Sequence, residues 1–241
     1  MVPPDFSSRP PESEKGVLYV VSTPIGNLED ITLRALRILK EVDLVAAEDT
    51  RRTGLLLKHY QIDNQLSSYH DFNKERKALE LIGLLKSGKS LALVSDAGTP
   101  GISDPGYLLI KLAIQEGIEV VPIPGVSAIL AGLVVSGLPT DRFSFEGFLP
   151  PKSTKRKKKL ESLITEQRTM IFYESPHRLN QTLSEVFNVF GDREIVVARE
   201  LTKKFEEIKR GKVVEIKEYF LKKRVRGEIV ILLAGATKIK N

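Results

Sequence analysis

Val17-Leu18-Tyr19-Val20-Val21-Ser22 runs directly into Thr23-Pro24-Ile25-Gly26-Asn27-Leu28, and beyond that turn Ile31, Leu33, Leu36, Ile38 and Leu39 recur at roughly helical spacing. A continuous β-branched and apolar run predicts a buried strand, and the change to a period near 3.6 predicts a helix after the tight turn. The unit then repeats. Residues 42–47 form a second apolar run, followed at once by Glu48-Asp49-Thr50-Arg51-Arg52 and a helical pattern through Leu55, Leu56 and Leu57. A helix over 74–86, a strand over 90–94, a loop over 95–106, a helix over 107–115 ended by Gly117, and a strand over 118–123 complete the series. Strands separated by helices in this order predict an α/β fold of parallel βαβ units, with ligands bound outside the carboxyl ends of the strands.

Pro122-Ile123-Pro124-Gly125 reads as a hinge, dividing the chain into an N-terminal α/β domain over 16–123 and a C-terminal α/β domain over 124–241. The second domain is expected to contain a small-residue helix over 127–137 and a strand over 142–147. After these come the basic run 152–159 with a helix behind it, a strand over 169–173, a helix over 179–190, a strand over 194–199, a helix near 212–221 and a closing strand over 229–233. Residues 1–15 carry Pro3, Pro4, Pro10 and Pro11 beside acidic and small polar residues, and read as a disordered leader.

Composition removes several chemistries. With 41% hydrophobic and 28% charged residues the chain has the balance of a folded globular protein. It has no cysteine, which excludes a disulfide framework, a thiolate zinc site, an iron–sulfur cluster and a cysteine nucleophile, and which fits a reducing cytoplasm. The three histidines, His59, His70 and His177, lack ligand spacing, so no metal site is expected. The P-loop, dinucleotide, serine-hydrolase and zincin signatures are missing, and the most apolar stretch, 128–138, falls short of the ~20 residues that cross a bilayer. Charge is uneven. Residues 1–125 hold 14 Lys and Arg against 17 Asp and Glu, whereas residues 126–241 hold 23 against 14. A basic second half suits a polyanionic partner; solvated lysines are the competing explanation.

Three small-residue turns stand at the expected ligand end. The loop 95–106 packs three glycines, two prolines and two aspartates into twelve residues, a composition that lets backbone approach a ligand closely and offer it N–H and C=O groups. Pro124-Gly125-Val126-Ser127-Ala128 repeats the logic, with Ser127 able either to cap the next helix or to face a ligand. Residues 23–28 form the third turn.

Together with Ala47-Glu48-Asp49-Thr50-Arg51 and Phe172-Tyr173-Glu174-Ser175-Pro176-His177-Arg178, these turns resemble, in order and spacing, the signature blocks of the ribosomal RNA branch of the tetrapyrrole methylase-like, or class III, methyltransferases. The resemblance runs from about residue 17 to residue 235. It implies a two-domain α/β fold with an N-terminal parallel sheet, a C-terminal mixed sheet and the cofactor in the cleft between them. It also implies S-adenosylmethionine as methyl donor, the 2′-hydroxyl of a cytidine in small-subunit ribosomal RNA or the assembled subunit as acceptor, and a homodimer. By motif match, Pro24, Asp96, Ala97, Gly98, Ser103, Gly125, Ser127, Ala128 and Tyr173 would bind the cofactor.

A ribose hydroxyl is a weak nucleophile while protonated, so positioning and a general base would carry the reaction. Asp49, Glu48 and Glu174 are the candidate catalytic residues; water or a phosphate oxygen could also take the proton, and the carboxylates could instead pair with neighbouring arginines. For RNA contact, Lys152, Lys155, Arg156, Lys157, Lys158 and Lys159 are expected in a mobile loop that settles on phosphates, with Arg51, Arg52, His177, Arg178 and Arg199 beside the signature blocks. An Arg199–Glu200 ion pair is the structural alternative for the last. Two other readings stay open: a methyltransferase acting on an acidic tetrapyrrole, and a basic RNA-binding protein without catalysis.

Overall fold

The computed structural model describes residues 15–236; the expected leader lies almost wholly outside them. Two compact units are present, one comprising the chain up to Pro24 with Leu28–Val126, the other Ile25–Asn27 with the chain from Ser127.

The first unit is a doubly wound sheet. Its strands are β1 (Val17–Val21), β2 (Leu44–Ala47), β3 (Leu66–Ser68), β4 (Leu91–Val94) and β5 (Glu119–Ile123). They lie in the order β3-β2-β4-β1-β5, and every pairing is parallel. The intervening helices are α1 (Leu33–Glu41), α2 (Thr50–His59), α3 (Lys74–Lys86) and α4 (Gly106–Gln115). Leu91 and Leu93 point to one face, with Leu81 and Leu85 of α3 and Leu109 of α4; Ala92 and Val94 point to the other, with Ile38 and Leu39 of α1 and Leu57 of α2. A strand covered on both faces must be apolar at every position, which is why β4 reads as an unbroken run. Thr32 caps α1 by accepting the Ala35 N–H at 3.1 Å.

In the second unit α5 (Ala128–Val134) precedes β6 (Phe143–Phe148), α6 (Ser153–Glu161), β7 (Thr169–Glu174), α7 (Leu179–Phe190), β8 (Glu194–Arg199), β9 (Glu207–Lys212), α8 (Val213–Leu221) and β10 (Ile229–Leu233). The sheet order is β6-β7-β10-β8-β9, with β6 and β7 parallel and the other pairs antiparallel. It is a mixed sheet. Central β10 alternates: Ile229, Ile231 and Leu233 join Leu160, Leu183 and Phe220 from α6, α7 and α8, while Val230 and Leu232 face Gly132 of α5.

One expectation is corrected here. The basic run is helix α6, not a mobile loop, because Arg156 and Leu160, four residues apart, share one buried face and dock the helix on the sheet. Among the described residues no helix is long and apolar enough to cross a membrane.

Candidate active site

The turns after β1, β4 and β5 are tied together by their own polar groups. Thr23 and Gly98 exchange both backbone hydrogen bonds at 2.9 Å, forming a small antiparallel bridge across the ends of parallel strands. Gly98 holds φ +80°, a conformation costly for a side chain with a Cβ. Ser22 Oγ and Thr99 Oγ1 lie 3.0 Å apart, and Thr23 Oγ1 donates to the Ser95 carbonyl at 3.3 Å. Gly125 sits so close to β1 that a Cβ there would meet the Ser22 Cβ at 2.8 Å. The first unit thus brings Pro24, Asp96, Ala97, Gly98, Ser103 and Gly125 to the carboxyl ends of its three strands.

The loop 95–106 is organised by a residue that the sequence reading did not single out. Asp104 Oδ1 accepts the Gly101 N–H at 2.7 Å and the Gly106 N–H at 2.8 Å, and Ser103 beside it holds φ +65°. The readable signal was an aspartate inside a glycine-rich turn just before a helix, where a short carboxylate folds the backbone around itself. Asp96, half-buried at the end of β4, points Oδ2 at Arg52 Nη1, 3.2 Å away, while its Oδ1 is buried and has no partner.

The three candidate carboxylates occupy different environments. Asp49 is the N-cap of α2: its Oδ1 accepts the Arg51 N–H at 2.9 Å, and its two oxygens take the Arg51 guanidinium at 3.0 and 2.7 Å. Those bonds to Arg51 hold its pKa far below the usual carboxylate range. Glu174 is buried with Oε2 accepting from Thr182 at 2.6 Å and Oε1 taking both the Ser175 N–H and the Arg178 guanidinium at 2.7 Å. Glu48 differs. Burial pushes its pKa up, offset in part by the Asp96 N–H donated to Oε2 at 3.2 Å and reinforced by the negative charge of Asp96, Asp104 and Asp71.

In the second unit, Ser127 stands at the N-cap of α5 without a side-chain cap bond, Ala128 begins the helix, and Tyr173 lies near the end of β7, its ring edge-on to Phe145 at 4.9 Å. The RNA candidates separate into two groups. Lys152, Lys155, Lys157 and Lys158 are exposed, as are His177 and, in the first unit, Arg51 and Arg52. Arg156 is the exception within α6: it is wholly buried, forked onto Glu185 at 2.5 and 2.9 Å, and cannot meet a phosphate. Lys159 pairs with Glu146 at 2.7 Å. Arg178 is held by Glu174 and the Leu149 carbonyl, and Arg199 by Glu207 at 3.2 Å rather than by Glu200. Burial would raise Glu207, yet hydrogen bonds from Tyr219, Lys223 and Arg199 bring it down to about 2.

A parallel sheet whose strand ends carry this glycine-rich loop, followed by a unit with a mixed sheet, has counterparts among known proteins. The family model of tetrapyrrole (corrin/porphyrin) methylases matches residues 17–217. Ribosomal RNA small subunit methyltransferase I of Thermotoga maritima is 51% identical over 220 residues, covering 91% of this chain and 99% of the relative. The protein of the same description from Halalkalibacterium halodurans is 50% identical over 222 residues, 92% of this chain and 77% of the relative. Among solved structures, uroporphyrin-III C-methyltransferase of Thermus thermophilus complexed with S-adenosylhomocysteine superposes with a TM-score of 0.64 at 21% identity, covering 91% of this chain and 97% of that one, a likeness of fold. The chain therefore belongs to the tetrapyrrole methylase family, within its ribosomal RNA small subunit methyltransferase I group.

Proposed function

We propose that this chain transfers the methyl group of S-adenosylmethionine to the 2′-hydroxyl of a cytidine ribose in small-subunit ribosomal RNA. The observation that carries this reading is identity of half the residues across nine-tenths of the chain with relatives described as ribosomal RNA small subunit methyltransferase I.

The residues present fit the donor. The buried, unpartnered Asp96 Oδ1 needs a hydrogen-bond donor, such as a ribose hydroxyl or an ammonium group, because a buried acceptor left unmatched is costly. Pro24, Ala97, Gly98, Ser103 and Gly125 would shape the site at the strand ends of the first unit. When bound, S-adenosylmethionine supplies a methyl carbon on a sulfonium, and its loss to a nucleophile leaves a neutral thioether. Glu48 is the carboxylate best suited to take the 2′-hydroxyl proton. Burial raises its pKa, which suits a proton acceptor, whereas Asp49 is locked by Arg51 and Glu174 already accepts from three donors. Lys152, Lys155, Lys157, Lys158, His177, Arg51 and Arg52 would meet the RNA; Arg156, Lys159, Arg178 and Arg199 would hold the scaffold instead. Exposed Leu130 and Val134, four apart on α5, support a homodimer, and the lack of cysteine fits the cytoplasm.

The test is transfer of labelled methyl to small ribosomal subunits lacking the modification, with naked RNA alongside, followed by digestion to nucleosides. Label in 2′-O-methylcytidine establishes donor, atom and base together. Donor binding without label in RNA would refute the acceptor and redirect the search to tetrapyrroles.

A further inference from the structure

Phe148 is 56% exposed, although it belongs to a strand. It is the last residue of β6, an edge of the second sheet, and lies in parallel register beside Tyr173 of β7. The two rings are 5.4 Å apart at 58°, with Phe145 packed against the same tyrosine, so one side of the Phe148 ring is backed by aromatic carbon while much of it faces water.

The backbone that follows is held with unusual thoroughness. Arg178 Nη1 donates to the Leu149 carbonyl at 3.1 Å, and Arg156 Nη1 donates to the Pro150 and Pro151 carbonyls at 3.2 and 3.1 Å. Each guanidinium is itself fixed by a carboxylate, Arg178 by Glu174 and Arg156 by Glu185. Leu149 is buried, and the two prolines restrict the turn further. An exposed aromatic is thereby set in place before any ligand arrives, the condition under which its contact is not offset by ordering.

Glu146, the carboxylate of β6, is neutralised by Lys159. Lys152, the N-cap of the cationic helix α6, lies four residues after Phe148, and at most ~14 Å of extended chain separates their Cα atoms. Lys152, Lys155 and Lys158 are exposed and have no ion-pair partner among the described residues. A fixed aromatic face beside unpaired cations is the combination that binds single-stranded nucleic acid, bases on the ring and phosphates on the lysines.

We infer that Phe148 is a stacking platform for an unpaired base of the RNA strand, set at the foot of helix α6. The inference rests on the ribosomal RNA reading above.

The experiment measures binding of the full chain to oligocytidylate and to a sugar–phosphate chain of equal length without bases, across a salt series. Phe148→Ala should weaken oligocytidylate binding about 5- to 160-fold. The loss should be the same at every salt concentration, since no phosphate contact is removed, and binding of the base-free chain should match the parent. Phe148→Trp should restore affinity, and donor binding should be unchanged in both variants, which shows that they fold. Parent-like binding by Phe148→Ala, or an equal loss on the base-free chain, would overturn the platform while leaving methyl transfer by the parent intact. Weakened binding to assembled subunits alone would assign the ring to a protein surface and overturn it too. A parent that neither binds oligocytidylate nor methylates subunits would remove both readings.

Discussion

Replacing Arg156 with methionine keeps an unbranched apolar stem and deletes the guanidinium. The structure states what is then left behind: a Glu185 carboxylate only 13% exposed, which retains the Ser153 hydroxyl at 2.7 Å, and the Pro150 and Pro151 carbonyls without their donor. Orphaning one member of a buried ion pair costs roughly 3–5 kcal/mol. For a chain of this size that corresponds to a melting temperature lower by about 6–20 °C. Acid should narrow the difference, leaving the part due to the two orphaned carbonyls. Burial alone would raise the Glu185 pKa, but hydrogen bonds from Arg156 and Ser153 outweigh it and hold the value below the ordinary carboxylate range. A depressed carboxylate contributes stability that is complete above its unfolded value and fades as pH falls through its folded one. Urea denaturation of parent and variant, repeated from neutral pH down through the carboxylate range, is the assay. Arg156→Lys should recover only part of the loss, because an ammonium cannot form the fork. A deficit below about 1 kcal/mol at neutral pH, the worth of an exposed surface pair, would refute the reasoning that this pair is dry and anchors α6.

Other outcomes follow from the first unit and from α6. Gly98→Val should abolish S-adenosylmethionine binding measured by calorimetry, since a β-branched residue is strained at φ +80° and would break the bridge to Thr23; parent-like affinity in a folded variant would remove the loop from the site. Glu48→Gln should lower turnover about 100-fold or more while sparing donor affinity. In the parent, activity should rise with pH as Glu48 loses its proton, with that limb displaced upward by burial, and the limb should vanish in the variant. Replacing Lys155 and Lys158 by alanine should flatten the log–log salt dependence of RNA binding by about 1.4, at ~0.7 per phosphate contact on a single strand. An unchanged slope would leave these lysines as solvated surface.

Much of the architecture was legible because burial dictates composition. Strands β4, β8 and β10 are covered by helices and read as apolar runs; α3 and α7 carry their buried residues at clean helical spacing. Strand β9, Glu-Ile-Lys-Arg-Gly-Lys, was missed because an edge strand needs no apolar alternation and charged residues guard its open side. Strand β3 is three residues long and carries almost no pattern. The basic run misled for a different reason. Six cations in eight residues look like repelling surface, and only the spacing of Arg156 to Leu160, with Glu185 waiting on α7, shows that one of them is a core residue. Within the site, the loop 95–106 and its glycines were readable, but the roles of its carboxylates were not. Asp49 is a helix cap, Asp104 a turn organiser and Glu48 a desolvated acid, and these differ only in which N–H groups reach them.

The interior place of β1, between β4 and β5, also governs how the protein is made. Its partners are β4 and β5, with Leu18 opposite both Leu91 and Val120, so neither neighbour has been synthesised when β1 leaves the ribosome. At ~5–20 residues per second, roughly 5–20 s pass before the last partner strand is complete. Until β4 is made both edges of this β-branched segment lack a partner, and until β5 is made one edge stays open; its pairings close the longest loops in the unit. The sheet of the first unit is therefore completed late, and a chain interrupted before Ile123 leaves one edge of Val17–Val21 open to pairing with another chain.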